Sequence, residues 1–323
     1  MTVLKAVIVL VVGFVLLVKG ADFFVEGASS VAKMLKVPSL IIGMTIVAMG
    51  TSLPETSVSI AASINNQNTL AVSNVVGSNI FNLMVVLGVC AVMCELQVSK
   101  DVLKRDYPFS VICAILLLVA GYIGMTLGRV DGIIFLVIFV GFLFVLIKSA
   151  MDARKRGEIS EKEREMNEEI SEMKEQPVWK SILYIVGGAI AIKYGGDWVV
   201  DSASTIATSF GISATLVGLT ICSVGTSLPE LVTSIVAARK NELDMAIGNV
   251  VGSNVFNILM VLGIAASVSP IAFLTENVID IIILLVFSLI TWLFCVTKKR
   301  IGRMEGITML ALYGIYLVYI CIR

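Results

Sequence analysis

Two glutamates, Glu55 and Glu230, stand in long apolar runs and in identical surroundings. Each closes a Gly-Thr-Ser-Leu-Pro-Glu segment, at residues 50–55 and 225–230. A carboxylate at the middle of a membrane span costs about 2.5–3.5 kcal/mol on insertion scales, so one placed there twice points to a purpose. Its natural partner is a cation. The only lysines inside apolar runs, Lys19 and Lys193, have no counterparts at the repeat spacing. A cation from outside the chain is therefore the expected partner.

The neighbouring residues extend that chemistry. Pro54 and Pro229 lack an N–H, which leaves the carbonyls of Gly50 and Gly225, four residues back, without their helical donor. In lipid such carbonyls need a partner, and a cation suits them; a plain kink capped by Ser52 or Ser227 is the alternative. Thr51 and Ser52 lie on the Glu55 face of a helix, and Thr226 and Ser227 on the Glu230 face. Asn74, Ser78 and Asn82 recur at four-residue steps, as do Asn249, Ser253 and Asn257. A Ser/Asn stripe can also simply join helices, a reading that applies most to Asn74, Asn79, Asn249 and Asn254. Gly77 and Gly252 would let neighbouring helices approach.

The resulting ligand set is all oxygen, which suits hard cations; Ca²⁺ takes about 6–8 oxygens. Two carboxylates are neutralised by one Ca²⁺ or by two Na⁺. Competition for one pair couples the two fluxes, because two bare carboxylates in a low-dielectric site are unfavourable. Antiport follows as an expectation. The chain has no histidine, which excludes imidazole zinc sites and a Ser-His-Asp triad. Net charge is zero, so nucleic acid is not an expected partner. The six cysteines show no metal or disulfide spacing and read as small apolar side chains.

What positions these groups is a bilayer-spanning scaffold. The chain has 323 residues, 58% hydrophobic and only 15% charged, too few charges for a soluble surface. Residues 151–177 hold 15 of the 48 charges. Breaking the rest at charge and turn clusters predicts ten spans: 3–30, 38–65, 70–95, 107–125, 129–150, 179–208, 213–239, 245–269, 277–297 and 303–322. With the amino terminus outside, 19 Lys and Arg fall on the inner side and three on the outer, the bias expected of a cytoplasmic face. Both termini are then outside a plasma (inner) membrane, and the charged central linker is cytoplasmic.

The chain reads as two copies of one half. Residues 50–55 recur at 225–230, and Asn74–Asn82 recur at Asn249–Asn257, all at an offset of 175, with fourteen of fifteen positions identical. The same offset pairs Asp22 with Asp197 and Glu26 with Asp201. Five spans per half is an odd number, so the second copy enters the membrane from the opposite side. The expectation is an all-α polytopic membrane protein of ten transmembrane helices in two inverted-topology repeats. Residues 1–150 form the first repeat, 151–178 the linker and 179–323 the second.

The paired GTSLPE and NVVGSN-x-x-N segments resemble the two alpha-repeats of the calcium/cation antiporter superfamily, most closely its sodium/calcium exchanger branch. The resemblance covers essentially the whole chain. It implies exchange of Na⁺ for Ca²⁺ by alternating access, with no cofactor beyond the transported ions and a site contained in one chain, hence a functional monomer. It also implies ion-site roles: Glu55 and Glu230 as shared carboxylates, and Thr51, Ser52, Thr226 and Ser227 as hydroxyl and carbonyl donors. Ala48 and Ser223 would lend carbonyls to flanking sodium sites, and Ser78, Asn82, Ser253 and Asn257 would complete the set. The first and sixth spans would be the sliding pair that gates access, with Asp22, Glu26, Asp197 and Asp201 solvated near their ends. Some members carry Asp where this chain has Asn257, including the potassium-dependent branch; Asn at both 82 and 257 argues against potassium cotransport. A calcium/proton exchanger of the same superfamily is the nearest alternative. A membrane-embedded enzyme and a channel are more remote.

Overall fold

In hydrocarbon every backbone N–H and C=O must be satisfied within the protein, and the apolar runs meet this as helices. The computed structural model describes residues 3–64, 69–156, 177–210 and 223–322. The helices are α1 (Val3–Leu35), α2 (Ser39–Thr51), α3 (Leu53–Ile64), α4 (69–93), α5 (Val102–Met125) and α6 (Arg129–Arg156), then α7 (Val178–Ser209), α8 (Ser223–Gly225), α9 (Leu228–Arg239), α10 (Leu243–Val268), α11 (Thr275–Lys298) and α12 (Arg303–Ile322). Among the described residues, seven helices are long and apolar enough to cross a membrane, and the bent pair α2–α3 makes an eighth. The ten expected spans are thus matched in part. Helix α7 has the length, at 32 residues, but Lys180, Lys193, Asp197 and Asp201 lower its apolarity. The expected span 213–239 is described only from Ser223 onward. Of the linker, 151–156 continues α6 as helix, and 157–176 lies outside the described residues.

The second span is broken where the Gly-Thr-Ser-Leu-Pro-Glu segment runs through it. Helices α2 and α3 meet at 46°. The hinge residue Ser52 leaves the helical region at φ −83°, ψ 13°. Ser227 does the same between α8 and α9, at φ −94°, ψ 6°. Three wider π-helical turns lie in the helices that line the centre, at Gly43–Val47 within α2, Asn82–Val86 within α4 and Asn257–Val261 within α10. Such turns re-aim side chains and often mark functional positions. Two of them open on the equivalent residues Asn82 and Asn257.

Contacts between the halves are reciprocal. The two-residue strand β1 (Leu96–Gln97) pairs antiparallel with β4 (Arg300–Ile301), and β2 (Thr126–Leu127) pairs with β3 (Ile271–Ala272). The end of α4 packs on α12 through Gly88 and Gly306, and the end of α10 packs on α6 through Gly263 and Gly132. Each half therefore lays its last helix against the third-span helix of the other. Helices α4 and α10 are the most enclosed of the spans.

Helices α1 and α7 form an antiparallel pair along a seam of small residues seven apart. Gly13, Gly20 and Gly27 of α1 face Gly195, Gly188 and Ser181 of α7. A Cβ on Gly188 would stand 2.7 Å from the Gly20 carbonyl oxygen, and one on Gly195 would stand 2.6 Å from the Leu17 nitrogen. The backbones touch, as small residues allow in membranes. The outer flanks of the pair, including Leu4, Ile8, Val11, Trp179 and Ile182, are exposed and form a lipid-facing surface. The cysteines fit the expectation of small apolar side chains at Cys90, Cys113 and Cys295, which are buried, whereas Cys321 is exposed.

Candidate ion-binding site

The broken helices bring both glutamates to the centre of the molecule, where each is fully buried. Each is held by the other half's hinge serine. Ser52 Oγ donates to Glu230 Oε1 at 3.0 Å, and Ser227 Oγ donates to Glu55 Oε1 at 3.1 Å. Ser78 Oγ donates to Glu55 Oε1 at 3.4 Å, whereas the Oγ of its equivalent Ser253 is buried with no hydrogen-bond partner among the described residues. The two carboxyl groups are close enough to interact electrostatically. None of the ion pairs among the described residues involves either one.

The threonines take a different role from the serines. Thr51 Oγ1 donates to Asn249 Oδ1 at 3.1 Å and Thr226 Oγ1 to Asn74 Oδ1 at 3.4 Å. The same asparagines reach back to the glutamate-bearing helices, Asn74 to Ser59 at 3.2 Å and Asn249 to Ser234 at 2.9 Å. Helix joining, the alternative weighed for Asn74 and Asn249, is what they do here. Asn79 and Asn254 also join the halves, each donating to the other's backbone carbonyl.

The expected ligands therefore converge, with two qualifications. The Ala48 carbonyl accepts from the Ser52 N–H at 3.1 Å and lies 3.3 Å from Thr51 Oγ1, so an ion there would share it with the helix backbone. Ser223 opens α8 at the edge of the described residues. Gly50 and Gly225 mark where the outer helices meet the hinges. A Cβ on Gly50 would overlap Phe24 of α1, and one on Gly225 would overlap Val200 of α7, so these glycines let the outer helix pair rest against the hinges. Pro229 in turn lies beside Gly196 of α7.

The acidic residues expected to be solvated stay part-exposed, and some also find lysine partners. Asp22 meets Lys240 at 2.7 Å, and Asp197 meets Lys193 one turn earlier at 2.9 Å. The small-residue seam of α1 and α7 was not part of the sequence reading. Its signal is nonetheless in the chain: Ala6, Gly13, Gly20 and Gly27 correspond to Ser181, Gly188, Gly195 and Ser202 at the same offset of 175.

Chemically, the centre holds oxygens in excess of donors. Glu55 Oε2, Glu230 Oε2, Asn82 Oδ1 and Asn257 Oδ1 are buried with no hydrogen-bond partner among the described residues. Leaving a buried acceptor unmet costs about 1–3 kcal/mol, and more when it is charged. Four such oxygens from equivalent positions of both halves, two of them carboxylate, are donors of the kind a hard cation takes.

Comparison with known proteins identifies the family. A family model described as sodium/calcium exchanger protein matches residues 5–148 and 180–322. The inner membrane protein YrbG of Escherichia coli (strain K12) is 38% identical over 90% of this chain and 89% of its own length. The sodium/calcium exchanger MaX1 of Methanosarcina acetivorans is 33% identical over 96% of this chain and 97% of its own. A solved structure of the sodium-calcium exchanger NCX_Mj, soaked with zero Na⁺ and Ca²⁺, superposes with a TM-score of 0.84 at 30% identity, covering 99% of this chain and all of that one.

Proposed function

Because this chain belongs to the sodium/calcium exchanger family, a family of membrane cation antiporters rather than enzymes, we propose that it exchanges Na⁺ for Ca²⁺ by alternating access at one central site. The observation that carries the reading is the reciprocal clasp of Ser52 on Glu230 and Ser227 on Glu55, with the second carboxylate oxygens and the Asn82 and Asn257 oxygens left without donors. Ca²⁺ would be held by Glu55 and Glu230. Na⁺ ions would compete for the same carboxylates, drawing on Thr51, Ser52, Ser78, Asn82 and their equivalents Thr226, Ser227, Ser253 and Asn257, with the hinge-flanking carbonyls of Ala48 and Ser223 available to sodium on rearrangement. No cofactor is required, since the ions are the cargo. All these groups come from one chain, so the monomer is the functional unit.

The finer architecture belongs to the same reading: ten spans as two inverted five-helix repeats, residues 1–150 and 179–323, joined by a cytoplasmic linker at 151–178. The separate family matches to 5–148 and 180–322 support that division. The strand pairs support the sidedness. Joining β1 to β4 puts two loops expected inside, those of Lys100 and of Lys299 and Arg300, on one face, and joining β2 to β3 puts two loops expected outside on the other. Both termini then lie outside and the linker inside the plasma membrane. Helices α1 and α7, packed on each other by a continuous seam, would be the unit that slides to switch access.

Proteoliposomes loaded with Na⁺, K⁺ or H⁺ gradients test the coupling. We expect ⁴⁵Ca²⁺ uptake to follow an outward Na⁺ gradient and to ignore the other two. Uptake driven by H⁺ alone would retain the site and replace the coupling ion. Rapid calcium flux without any counter-ion would overturn antiport.

A further inference from the structure

Among the oxygen ligands at the centre, only the amides have a wrong end. A carboxylate carries no donor, and a hydroxyl turns freely to present a lone pair. A side-chain amide rotated by half a turn offers NH₂ to a cation and repels it. Something must therefore set the direction of Asn82 and Asn257 if their oxygens are to serve. This argument rests on the ion site proposed above.

We propose that Asn79 and Asn254 are positioning residues that fix the amides of Asn257 and Asn82 with their oxygens turned into the ion site. The direction is anchored in the backbone. Asn79 Nδ2 donates to the Asn254 carbonyl at 3.1 Å, and Asn254 Nδ2 donates to the Asn79 carbonyl at 3.3 Å. A carbonyl can only accept, so the NH₂ end of each of these amides is determined by chemistry rather than by choice of rotamer. Each Oδ1 must then face the other way, where it can only accept. Asn254 Oδ1 accepts from Asn82 Nδ2 at 3.3 Å, and Asn79 Oδ1 accepts from Asn257 Nδ2 at 3.2 Å. With their NH₂ groups so engaged, Asn82 and Asn257 present Oδ1 on the opposite side, where each is buried without a donor. Flipping either one would set two amide oxygens against each other. The four amides thus relay a polarity from two backbone carbonyls to two ion ligands. Because each relay crosses from one half to the other, the fit between the halves itself orients the ligands.

Equilibrium ⁴⁵Ca²⁺ binding to the purified full chain in detergent tests this. N254L removes the acceptor that holds Asn82, and loss of an outer-shell partner of this kind weakens metal binding by about tenfold or more. N254D keeps an acceptor for the Asn82 amide, so binding should fall less than in N254L. In the N82D background the ligand has no NH₂ to misplace, so adding N254L should cost nothing further. A uniform loss for N254L in both backgrounds, or a loss for N254D equal to that for N254L, would mean a merely structural role and overturn the assignment. Should N254L not give a monodisperse protein, N79L with N257D repeats the comparison from the other half. Wild-type protein without saturable Ca²⁺ binding would overturn the ion site itself; wild-type binding that N254L leaves intact would overturn only the orienting role.

Discussion

The centre and the outer helix pair are built on opposite principles. At the centre, α4 and α10 and the broken helices are joined by directional side-chain hydrogen bonds, many of them crossing between the halves. Along α1 and α7 the contact is backbone against backbone through glycines, with one hydroxyl pair, Ser181 to Ser30 at 2.8 Å, at one end. Directional bonds hold one geometry and penalise any other. A seam of glycines holds its two helices by close packing, with few directional bonds. On the exchange proposed above, the difference would place rigidity at the ion site and freedom in the helix pair that switches access.

The two regions touch at few polar points, and these are not equivalent. Lys240 reaches across to α1, where it pairs with Asp22 at 2.7 Å and donates to the Asp22 carbonyl at 3.0 Å, with Glu26 at 3.9 Å. The residue at the corresponding position of the first half is Asn65, which carries no charge. Asp197 is satisfied by Lys193 of its own helix instead. The outer pair is thus clamped to the core by an ion pair on one side for which the other side has no counterpart in sequence.

Removing a central charge should have the largest effect. Glu55→Gln or Glu230→Gln leaves the remaining carboxylate to hold Ca²⁺ alone, and breaking a buried charged set costs about 3–5 kcal/mol. Sodium-driven ⁴⁵Ca²⁺ uptake should fall by two orders of magnitude or more (about 1.4 kcal/mol per tenfold), and equally for the two variants. Retention of exchange by one of them would show that the two halves of the centre are not equivalent. Next in size is the outer seam. Gly188→Val forces a side chain against the Gly20 backbone, and overpacking of this kind costs about 1–3 kcal/mol. The thermal midpoint in detergent should drop, while any protein that remains folded keeps its Ca²⁺ affinity; a lost affinity with an unchanged midpoint would break the division of labour. Smallest is the clamp. Lys240→Ala removes a half-exposed pair worth about 0.2–1 kcal/mol. Its effect on the thermal midpoint should fade as salt is raised. A salt-independent loss would mean that Lys240 acts through packing rather than charge.

The site was legible because its residues are repeated. Glu55 with Glu230, Ser52 with Ser227, and Asn82 with Asn257 occupy one register in two long segments, and a carboxylate in an apolar run is costly enough to announce itself. The α1–α7 seam used the same register but escaped notice. Single glycines and serines seven apart carry no charge and break no hydropathy pattern, so only their mutual spacing marks them. The roles within the polar stripe were also beyond the sequence. Nothing in Asn74, Asn79 and Asn82 tells which one spends its amide on a neighbour and which offers an oxygen inward, because that depends on what stands opposite.

The sequence by itself determined the membrane class, the doubling of the chain and the pair of acids at its centre, since these follow from hydropathy, register and the cost of burying charge. The tertiary structure decided the partners. It set each hinge serine on the other half's glutamate, strand β1 on β4 and β2 on β3, and Asn79 on Asn254. Two copies of one segment carry the same donors and acceptors, so either copy could satisfy itself on paper. Only the close approach of the two halves in three dimensions, at Gly43 against Met245 and Gly252 against Met44, brings each copy's groups within bonding distance of the other's.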